Sequence, residues 1–190
     1  MLVYFIRHGE SESNREGKYC GQRNSPLTEG GIEQARAIRG KLSDVRFDAV
    51  YSSDLSRAFT TAKEALPGCE PTLDSRLREI NIGSLSGEVI KGFRNNNPDL
   101  VQNLNARDYR VFGGECDDDV LARVGAFIGE LSEKPHEAVA VFCHGGVLHT
   151  TLEYALGVSF PAGGTARPNC MIAVYELSAD KKMKLLTWNL

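Results

Sequence analysis

The chain has 190 residues, a formal net charge of −3 at pH 7 and a hydrophobic content of 42%. These values predict one ordinary globular domain with a single large core, and they argue against nonspecific binding to nucleic acid or acidic membranes. The five cysteines are scattered and form no Cys-x-x-Cys pair, which argues against a zinc site or a disulfide framework.

Predicted strands and helices alternate along the chain. The apolar run at residues 2–6 predicts a strand, and apolar residues at helical spacing predict a helix over 29–42. A strand over 47–52 and a helix over 54–66 follow, and Pro67-Gly68 ends that helix.

The second half of the chain continues this alternation. The cleanest helical stripe covers residues 120–131, with Asp117 or Asp118 as its N-cap. The nearly all-apolar run 137–142 predicts a strand buried on both faces. A helix over 147–156 and two strands over 171–176 and 184–188 close the sequence. This order predicts an α/β fold, a three-layer α/β/α sandwich around a mostly parallel sheet.

One glycine-rich stretch, residues 83–114, interrupts the alternation. It carries the basic side chains of Lys91, Arg94, Arg107 and Arg110, although the whole chain is acidic. Long insertions in compact domains are more often functional than accidental, so we expect a lid or binding insertion within one domain over 1–190. A polar connection with one or two short helices is the alternative.

Two histidines occupy equivalent positions in the predicted fold. His8 follows the first strand and His144 follows the strand over 137–142, and each precedes a glycine. If the two strands are parallel neighbours, both imidazoles lie at the same edge of the sheet. His136 and His149 lack this context and are interpreted as structural.

Guanidinium and carboxyl groups are predicted near the same edge. Arg7 and Arg57 lie at two predicted strand ends, and Arg57 is also in the first turn of a helix. Two guanidiniums and a helix N-terminus together predict a site that binds a tetrahedral dianion. Glu79 is the candidate acid, because a carboxyl beside a bound phosphate dianion can keep a proton to donate. The structural alternatives are surface salt bridges for the arginines and an exposed position for the glutamate.

Five motifs follow one another along nearly the whole chain. They are Arg7-His8-Gly9-Glu10 with Asn14, Pro26-Leu27-Thr28-x-x-Gly31-x-x-Gln34-Ala35, Ser52-Ser53-Asp54-Leu55-x-Arg57-Ala58-x-x-Thr61-Ala62, Leu77-Arg78-Glu79 and His144-Gly145-Gly146. Each motif alone would be weak. In this order they resemble the histidine phosphatase superfamily, in its phosphoglycerate-mutase-like branch.

The resemblance implies a catalytic role for each matching residue. His8 would accept the phosphoryl group as phosphohistidine, and Glu79 would protonate the leaving oxygen and then activate water. The remaining predicted site residues comprise the phosphate clamp of Arg7, Arg57 and His144, and the substrate-binding residues Asn14, Cys20, Gly21 and Gly145. No metal or other cofactor is implied, because arginines and an imidazolium supply the positive charge.

Three departures from the mutase pattern favour transfer of the phosphoryl group to water. Ile82 stands where cofactor-dependent mutases usually carry a tyrosine. Arg107-Asp108 replaces their adjacent arginine pair, and Gly146 replaces their asparagine after His-Gly. The resemblance therefore implies hydrolysis of a small phosphorylated metabolite, with inorganic phosphate as product. The alternatives are a phosphoglycerate mutase, a phosphoprotein phosphatase and a non-enzymatic relative that binds phosphate or a partner.

Two further departures concern the substrate side of the pocket. Leu85-Ser86-Gly87 and Gly113-Gly114-Glu115-Cys116 differ from the family's usual Trp-Glu-Gly and Gly-Gly-Glu-Ser. The sequence therefore does not identify the substrate. No nucleic acid or membrane partner is expected, and the oligomeric state is not readable. Without a visible signal peptide or an apolar run of transmembrane length, we expect a cytoplasmic protein.

Overall fold

A single mixed sheet forms the centre of the protein. The computed structural model describes residues 1–161 and 163–190, and within them the strands are β1 (Leu2–Arg7), β2 (Ala49–Ser52), β3 (Thr72–Leu73), β4 (Ala138–Cys143), β5 (Ile172–Leu177) and β6 (Met183–Trp188). Their spatial order is β3-β2-β4-β1-β5-β6. The first four strands of the chain run parallel, and β5 and β6 are antiparallel to their neighbours.

Helices cover both faces of this sheet. They are α1 (Glu12–Arg15), α2 (Glu29–Ala37), α3 (Arg39–Leu42), α4 (Ser56–Ala65), α5 (Ile90–Asn96), α6 (Val101–Asn105), α7 (Asp117–Leu131) and α8 (Gly145–Leu156). Short 3-10 turns occupy Ser75–Leu77, Gly83–Leu85, Pro98–Leu100 and Arg110–Phe112.

Alternate residues of the strands face two separate cores, as the period of two in a strand requires. Val3 and Phe5 pack with α7 and α8, whereas Ile6 packs with α2, α3 and α4. The predicted three-layer α/β/α sandwich with a mostly parallel sheet is therefore confirmed. Among the described residues, none of the helices combines the length and apolar character that a membrane span needs.

Two predicted helices differ in detail from the structure. The helix expected over 29–42 is divided into α2 and α3, with Ile38 between them. The predicted N-cap of α7 was wrong: Asp117 and Asp118 are already helical, and Cys116 is the capping position in extended conformation. The Asp119 carboxylate accepts the backbone N–H of Cys116 at 2.9 Å, so the capping acid comes from inside the helix.

The loop after β1 is fixed by a close crossing over α2. A Cβ atom on Gly9 would lie 2.3 Å from the carbonyl oxygen of Gly31, and one on Gly31 would lie 2.1 Å from that of Glu10. Thr28 caps α2 by accepting the N–H of Gly31 at 2.9 Å, and its hydroxyl donates to the Glu10 carboxylate at 2.7 Å. The motif over residues 26–35 thus positions the loop that carries His8.

The stretch over residues 83–114 contains α5, α6 and three of the 3-10 turns. Leu85, Leu104 and Tyr109 anchor it in the same core as α7. Tyr19 donates its backbone N–H to the carbonyl of Glu88 at 2.9 Å. The stretch is therefore packed beside the first loop of the chain, where it borders the site described next.

Candidate active site

The carboxyl ends of β1 and β4 bring two histidines together. The strands are parallel neighbours in which Arg7 pairs with Cys143, so His8 and His144 are the residues that directly follow the two strands. Their ring centroids lie 5.1 Å apart. His8 is 3% exposed and His144 is fully buried. The expected meeting of the two imidazoles at one sheet edge follows from this parallel register.

Hydrogen bonds fix the tautomer of His8. Its Nδ1 lies 2.7 Å from the carbonyl oxygen of Gly9. A carbonyl can only accept, so Nδ1 carries the proton and Nε2 carries the lone pair. The Nε–H of Arg57 donates to this Nε2 at 3.2 Å. The lone pair of His8 is thus directed at the guanidinium of Arg57.

Arg57 is held rigidly at the start of α4. Its Nη1 donates to the carbonyl of Arg23 at 2.9 Å, and its Nη2 donates to the carbonyl of Gly21 at 2.8 Å. The side chain is 1% exposed, which is unusual for a charged residue. Two backbone carbonyls orient the guanidinium, and no carboxylate within residues 1–161 and 163–190 forms a salt bridge with it, so its positive charge is available to an anionic ligand.

Arg7 and His144 complete a group of donors around His8. The Nη1 of Arg7 donates to the carbonyl of Arg167. The Nε2 of His144 is hydrogen-bonded to the Ser53 hydroxyl at 2.9 Å. The Nε of Arg7 and the Nδ1 of His144 are buried without a hydrogen-bond partner within residues 1–161 and 163–190. Buried polar atoms of this kind require a partner, and a phosphate oxygen would supply one.

Burial and positive charge keep both histidines neutral. Desolvation lowers the pKa of His8 well below its usual value, and the guanidiniums of Arg57 and Arg7 lower it further. Burial is also the main cause that lowers the pKa of His144, followed by Arg57 and His8. A neutral imidazole retains its lone pair, so the Nε2 of His8 can act as a nucleophile at neutral pH.

Glu79 lies where the N-terminus of α8 reaches the site. One carboxylate oxygen, Oε1, accepts the N–H of Ile80 at 2.9 Å, and Oε2 accepts the N–H of Gly146 at 3.1 Å. A Cβ atom on Gly146 would lie 1.9 Å from Oε1. The glycine at position 146, noted in the sequence as a departure from the mutase pattern, therefore makes the space that Glu79 occupies.

The segment that carries Glu79 is held by residues that the sequence analysis did not identify. Arg123 of α7 donates to the carbonyls of Arg76 and Arg78 at 2.6 Å and to that of Glu79 at 3.2 Å. Glu115 lies 3.0 Å from the Nε of Arg123 and accepts the N–H of Asn81 at 2.7 Å. The Gly113-Gly114-Glu115 motif was the available sequence signal, but nothing in the sequence connected it to Arg123.

A pocket of about 190 Å³ brings most of the predicted site residues together. Its lining includes seven of them, namely Arg7, His8, Asn14, Cys20, Gly21, Arg57 and Glu79. His144 does not line this pocket, although its ring lies 5.1 Å from that of His8, and Gly145 borders an adjoining cavity beside the guanidinium of Arg7. Ile80, Ile82 and Ile90 form the apolar part of the wall. The pocket has room and charge for a phosphate group attached to a small organic portion.

A second charged cluster lies between α7 and α8. Ligand atoms of Asp117, His149 and Glu153 lie within 4.8 Å of one another, a spacing that a metal ion could bridge. The chemistry of the cluster favours arginine instead. The Nη1 of Arg167 lies 3.0 Å from the Nδ1 of His149, and the Nη2 of Arg107 lies 2.9 Å from Asp117 Oδ1. Since an arginine only donates, Nδ1 must keep its lone pair, and a neutral ring then carries its proton on Nε2.

The same cluster has displaced pKa values. Burial raises the pKa of Asp117 to about 6, and it lowers the pKa of His149 to about 3. His149 is fully buried and is therefore a neutral partner for Arg167 at neutral pH. Asp117 is ionised at neutral pH and can pair with Arg107.

The chain belongs to the histidine phosphatase superfamily, because residues 3–190 match the sequence model for branch 1 of that family. A probable phosphoglycerate mutase, GpmB, of Salmonella paratyphi A is 32% identical over 181 residues, which cover 91% of this chain and 83% of that protein. The predicted family membership is confirmed. Membership supports an enzyme that acts on phosphate esters.

Solved structures named as phosphatases share the fold over its whole length. The α-ribazole phosphatase of Shigella flexneri superposes with a TM-score of 0.85 and 27% identity, covering 100% of this chain and 96% of that one. A mycobacterial glucosyl-3-phosphoglycerate phosphatase in complex with VO3 gives a TM-score of 0.85 and 25% identity, covering 99% and 98%. The chain is thus similar both to enzymes named as phosphatases and to one named as a mutase.

Proposed function

We propose that this protein is a phosphomonoesterase that hydrolyses a small phosphorylated metabolite through a phosphohistidine on His8. The observation that carries the proposal is the contact of 2.7 Å between His8 Nδ1 and the Gly9 carbonyl. It leaves the lone pair of Nε2 for attack on phosphorus. The Nε–H of Arg57 contacts that atom, and the Nε of Arg7 and the Nδ1 of His144, which are buried without partners among the described residues, are available to phosphate oxygens.

In the first step, the lone pair of His8 Nε2 forms a bond to phosphorus while the bond from phosphorus to the ester oxygen breaks. Glu79, in its protonated form, transfers its proton to the leaving oxygen, which departs as an alcohol. Arg57 shifts its Nε–H from His8 to a phosphate oxygen. The positive charges of the two arginines balance the charge on the transferring phosphoryl group.

In the second step, the Glu79 carboxylate takes a proton from a water molecule, whose oxygen attacks phosphorus. The bond from phosphorus to Nε2 breaks, inorganic phosphate is released, and His8 returns to the neutral tautomer with Glu79 protonated. Atoms and charges balance without a metal ion or another cofactor. The mechanism therefore predicts an enzyme that is independent of divalent cations.

The pocket favours a small substrate over a phosphorylated protein. Its volume is about 190 Å³, and His8 is only 3% exposed. A small ester can enter such a pocket completely, whereas a side chain on a folded protein would have to extend into it. A cytoplasmic location and a small-molecule partner are consistent with this proposal.

A phosphoglycerate mutase is the second candidate, because the curated relative at 32% identity bears that name. Both reactions would share the phosphohistidine on His8. They differ in whether water or a second alcohol accepts the phosphoryl group. The apolar side chain of Ile82 in the pocket wall, where mutases carry a hydroxyl group, favours water.

Hydrolysis of p-nitrophenyl phosphate by wild type and His8→Ala tests the proposal. We expect turnover by wild type and none by a folded His8→Ala protein. Turnover near the wild-type rate in His8→Ala would overturn it. Interconversion of phosphoglycerates that depends on a bisphosphoglycerate, with little phosphate release from any ester, would instead identify a mutase.

A further inference from the structure

Ser53 lies at a third strand end beside the two histidines. β2 is a parallel neighbour of β4, with Ser52 paired with Phe142, and Ser53 directly follows β2. The backbone N–H of Ser53 donates to the carbonyl of Phe142 at 2.9 Å, which holds Ser53 against the end of β4. His144 follows β4 at the same edge, and both Ser53 and His144 are fully buried there.

The hydroxyl group of Ser53 has two hydrogen-bond partners. Its oxygen accepts the backbone N–H of Leu55 at 3.3 Å. The same oxygen lies 2.9 Å from the Nε2 of His144. Within residues 1–161 and 163–190 these are the only hydrogen bonds of that hydroxyl. Because a backbone N–H can only donate, the Nε2 of His144 is the acceptor that remains for the proton of Ser53.

These contacts determine which nitrogen of a neutral His144 carries the proton. If Nε2 carried it, both partners of Ser53 would donate to the hydroxyl oxygen, and the buried hydroxyl proton would have no acceptor. If Nε2 carries the lone pair instead, the hydroxyl of Ser53 donates to it and both groups are satisfied. The single proton of the ring then lies on Nδ1.

This tautomer makes the Nδ1 of His144 a hydrogen-bond donor. That atom is buried without a partner among the described residues, and the His144 ring centroid lies 5.1 Å from that of His8. The charged oxygens of a phosphoryl group only accept hydrogen bonds. The opposite tautomer would present a lone pair to such an oxygen and repel it. The position of one proton thus decides whether His144 attracts or repels a phosphoryl group on His8.

The surroundings of His144 disfavour a second proton on its ring. Burial lowers the pKa of His144 most, followed by the positive charge of Arg57, the neighbouring ring of His8 and the charges of Arg7 and Arg123. An imidazolium would donate from both nitrogens whatever its partners are. A neutral ring donates from one nitrogen only, so the residue that selects this nitrogen affects how His144 meets a ligand.

We propose that Ser53 is a positioning residue that fixes His144 as the neutral tautomer with its proton on Nδ1, so that His144 donates a hydrogen bond to the phosphoryl group transferred to His8. The inference rests on the proposed phosphatase function. The preceding residue, Ser52, provides a comparison within the same strand end. It is also fully buried, but its hydroxyl donates to the backbone carbonyl of Ser53 at 2.8 Å rather than to a histidine.

Nitrogen NMR of the histidine side chains tests the tautomer in the wild-type protein. A protonated ring nitrogen and a ring nitrogen with a lone pair have well-separated chemical shifts, so the proton of His144 can be located directly. At neutral pH we expect it on Nδ1, both in the free protein and with saturating inorganic phosphate. A proton on Nε2 in the free protein, or protons on both nitrogens with phosphate bound, would overturn the proposal.

Ser53→Ala and Ser52→Ala form a matched pair, because each removes one buried hydroxyl from the same strand end. Ser53→Ala should increase the share of the Nε2–H tautomer of His144 and lower kcat/KM for p-nitrophenyl phosphate by about tenfold. Ser52→Ala should leave the tautomer unchanged and kcat/KM within about twofold. Equal losses of kcat/KM in both variants with no change of tautomer in either would show a structural role only and contradict the proposal.

Failure of this inference and failure of the proposed function give different results. Hydrolysis of p-nitrophenyl phosphate that depends on His8, with Ser53→Ala as active as Ser52→Ala, would reject the role of Ser53 alone. If no ester is hydrolysed, the proposed function fails, and calorimetric titration with inorganic phosphate tests the inference. Weaker phosphate binding to Ser53→Ala than to Ser52→Ala supports the role of Ser53, and equal binding contradicts it.

Discussion

Glu79 and Gly146 occupy one space at the N-terminus of α8. The Oε2 atom of Glu79 accepts the N–H of Gly146 at 3.1 Å, and a Cβ on residue 146 would lie 1.9 Å from Oε1. The backbone of the segment after His144 thus positions the carboxylate that we propose as general acid and base. The position of the Glu79 carboxylate therefore depends on the lack of a side chain at Gly146 as well as on the segment that carries Glu79.

Gly146→Ala is therefore expected to displace the Glu79 carboxylate and to lower kcat for glycerol 3-phosphate by about tenfold or more. The first step of p-nitrophenyl phosphate turnover should be slowed less, because the leaving group is the stable p-nitrophenolate anion, which needs no proton from Glu79. Gly92→Ala in α5 is the control, since a Cβ there would meet nothing within 4 Å. A Gly146→Ala enzyme with unchanged kcat for glycerol 3-phosphate would contradict this placement.

Arg123 is expected to act on catalysis through the segment that carries Glu79. Arg123→Met removes the donors to three backbone carbonyls and leaves Glu115 without its ion pair. We expect kcat to fall by about tenfold or more while KM changes little, because the phosphate clamp stays in place. Arg36→Met is the control, since Arg36 forms an exposed pair with Glu64. A rise in KM alone would show that Arg123 does not position Glu79.

The neutral state of His8 predicts a pH dependence of stability. Its pKa is lowered in the folded protein, mainly by burial and then by Arg57, so below pH 6.5 the unfolded chain binds a proton that the folded protein does not. The contribution of His8 to the free energy of unfolding is therefore constant above pH 6.5 and falls as the pH decreases below it. Relative to His8→Asn, wild type should lose about 1–2 kcal/mol between pH 7 and pH 5. Urea denaturation of both proteins measures this difference, and a constant difference would mean that His8 is not buried in the neutral form.

Chelators are expected to leave phosphatase activity unchanged, because the guanidiniums of Arg7 and Arg57 supply the positive charge that a metal would bring. The test is the rate of p-nitrophenyl phosphate hydrolysis with and without EDTA. Strong inhibition that a divalent ion reverses would contradict the account. Glu153→Gln would then show whether the ion binds with Asp117 and His149, the group whose ligand atoms lie within 4.8 Å of one another.

The sequence predicted best those features that depend on local hydrophobic pattern and on the order of strands and helices. The apolar runs before His8 and His144 are buried parallel strands, and in such a sheet adjacent strands end at one edge. The division between α2 and α3 at Ile38 was not predicted, because the apolar spacing continues across it. The start of α7 was missed by a few residues because three consecutive aspartates offered several capping positions, and Asp119 caps from within the helix.

The supporting residues of the site could not be predicted from one sequence. Arg123 contacts carbonyls 44 to 47 positions away, and backbone carbonyls have no signature in a sequence. Arg167 reaches the site from a loop whose path depends on the packing of β5, and His149 gave no sign that it would contact that arginine. Long-range contacts of this kind depend on the tertiary fold rather than on local propensity.

The most direct measurement of the central claim is the detection of the phosphoryl group on His8. Glu79→Gln is mixed with p-nitrophenyl phosphate, quenched in alkali, in which phosphohistidine persists, and analysed by peptide mass spectrometry. Since the p-nitrophenolate anion leaves without needing a proton and the base that activates water is absent, we expect the phosphoryl group to accumulate on the peptide that contains His8, with none in a His8→Ala variant. A phosphoryl group on a different residue, or hydrolysis by wild type with no phosphorylated His8 in either protein, would contradict the account.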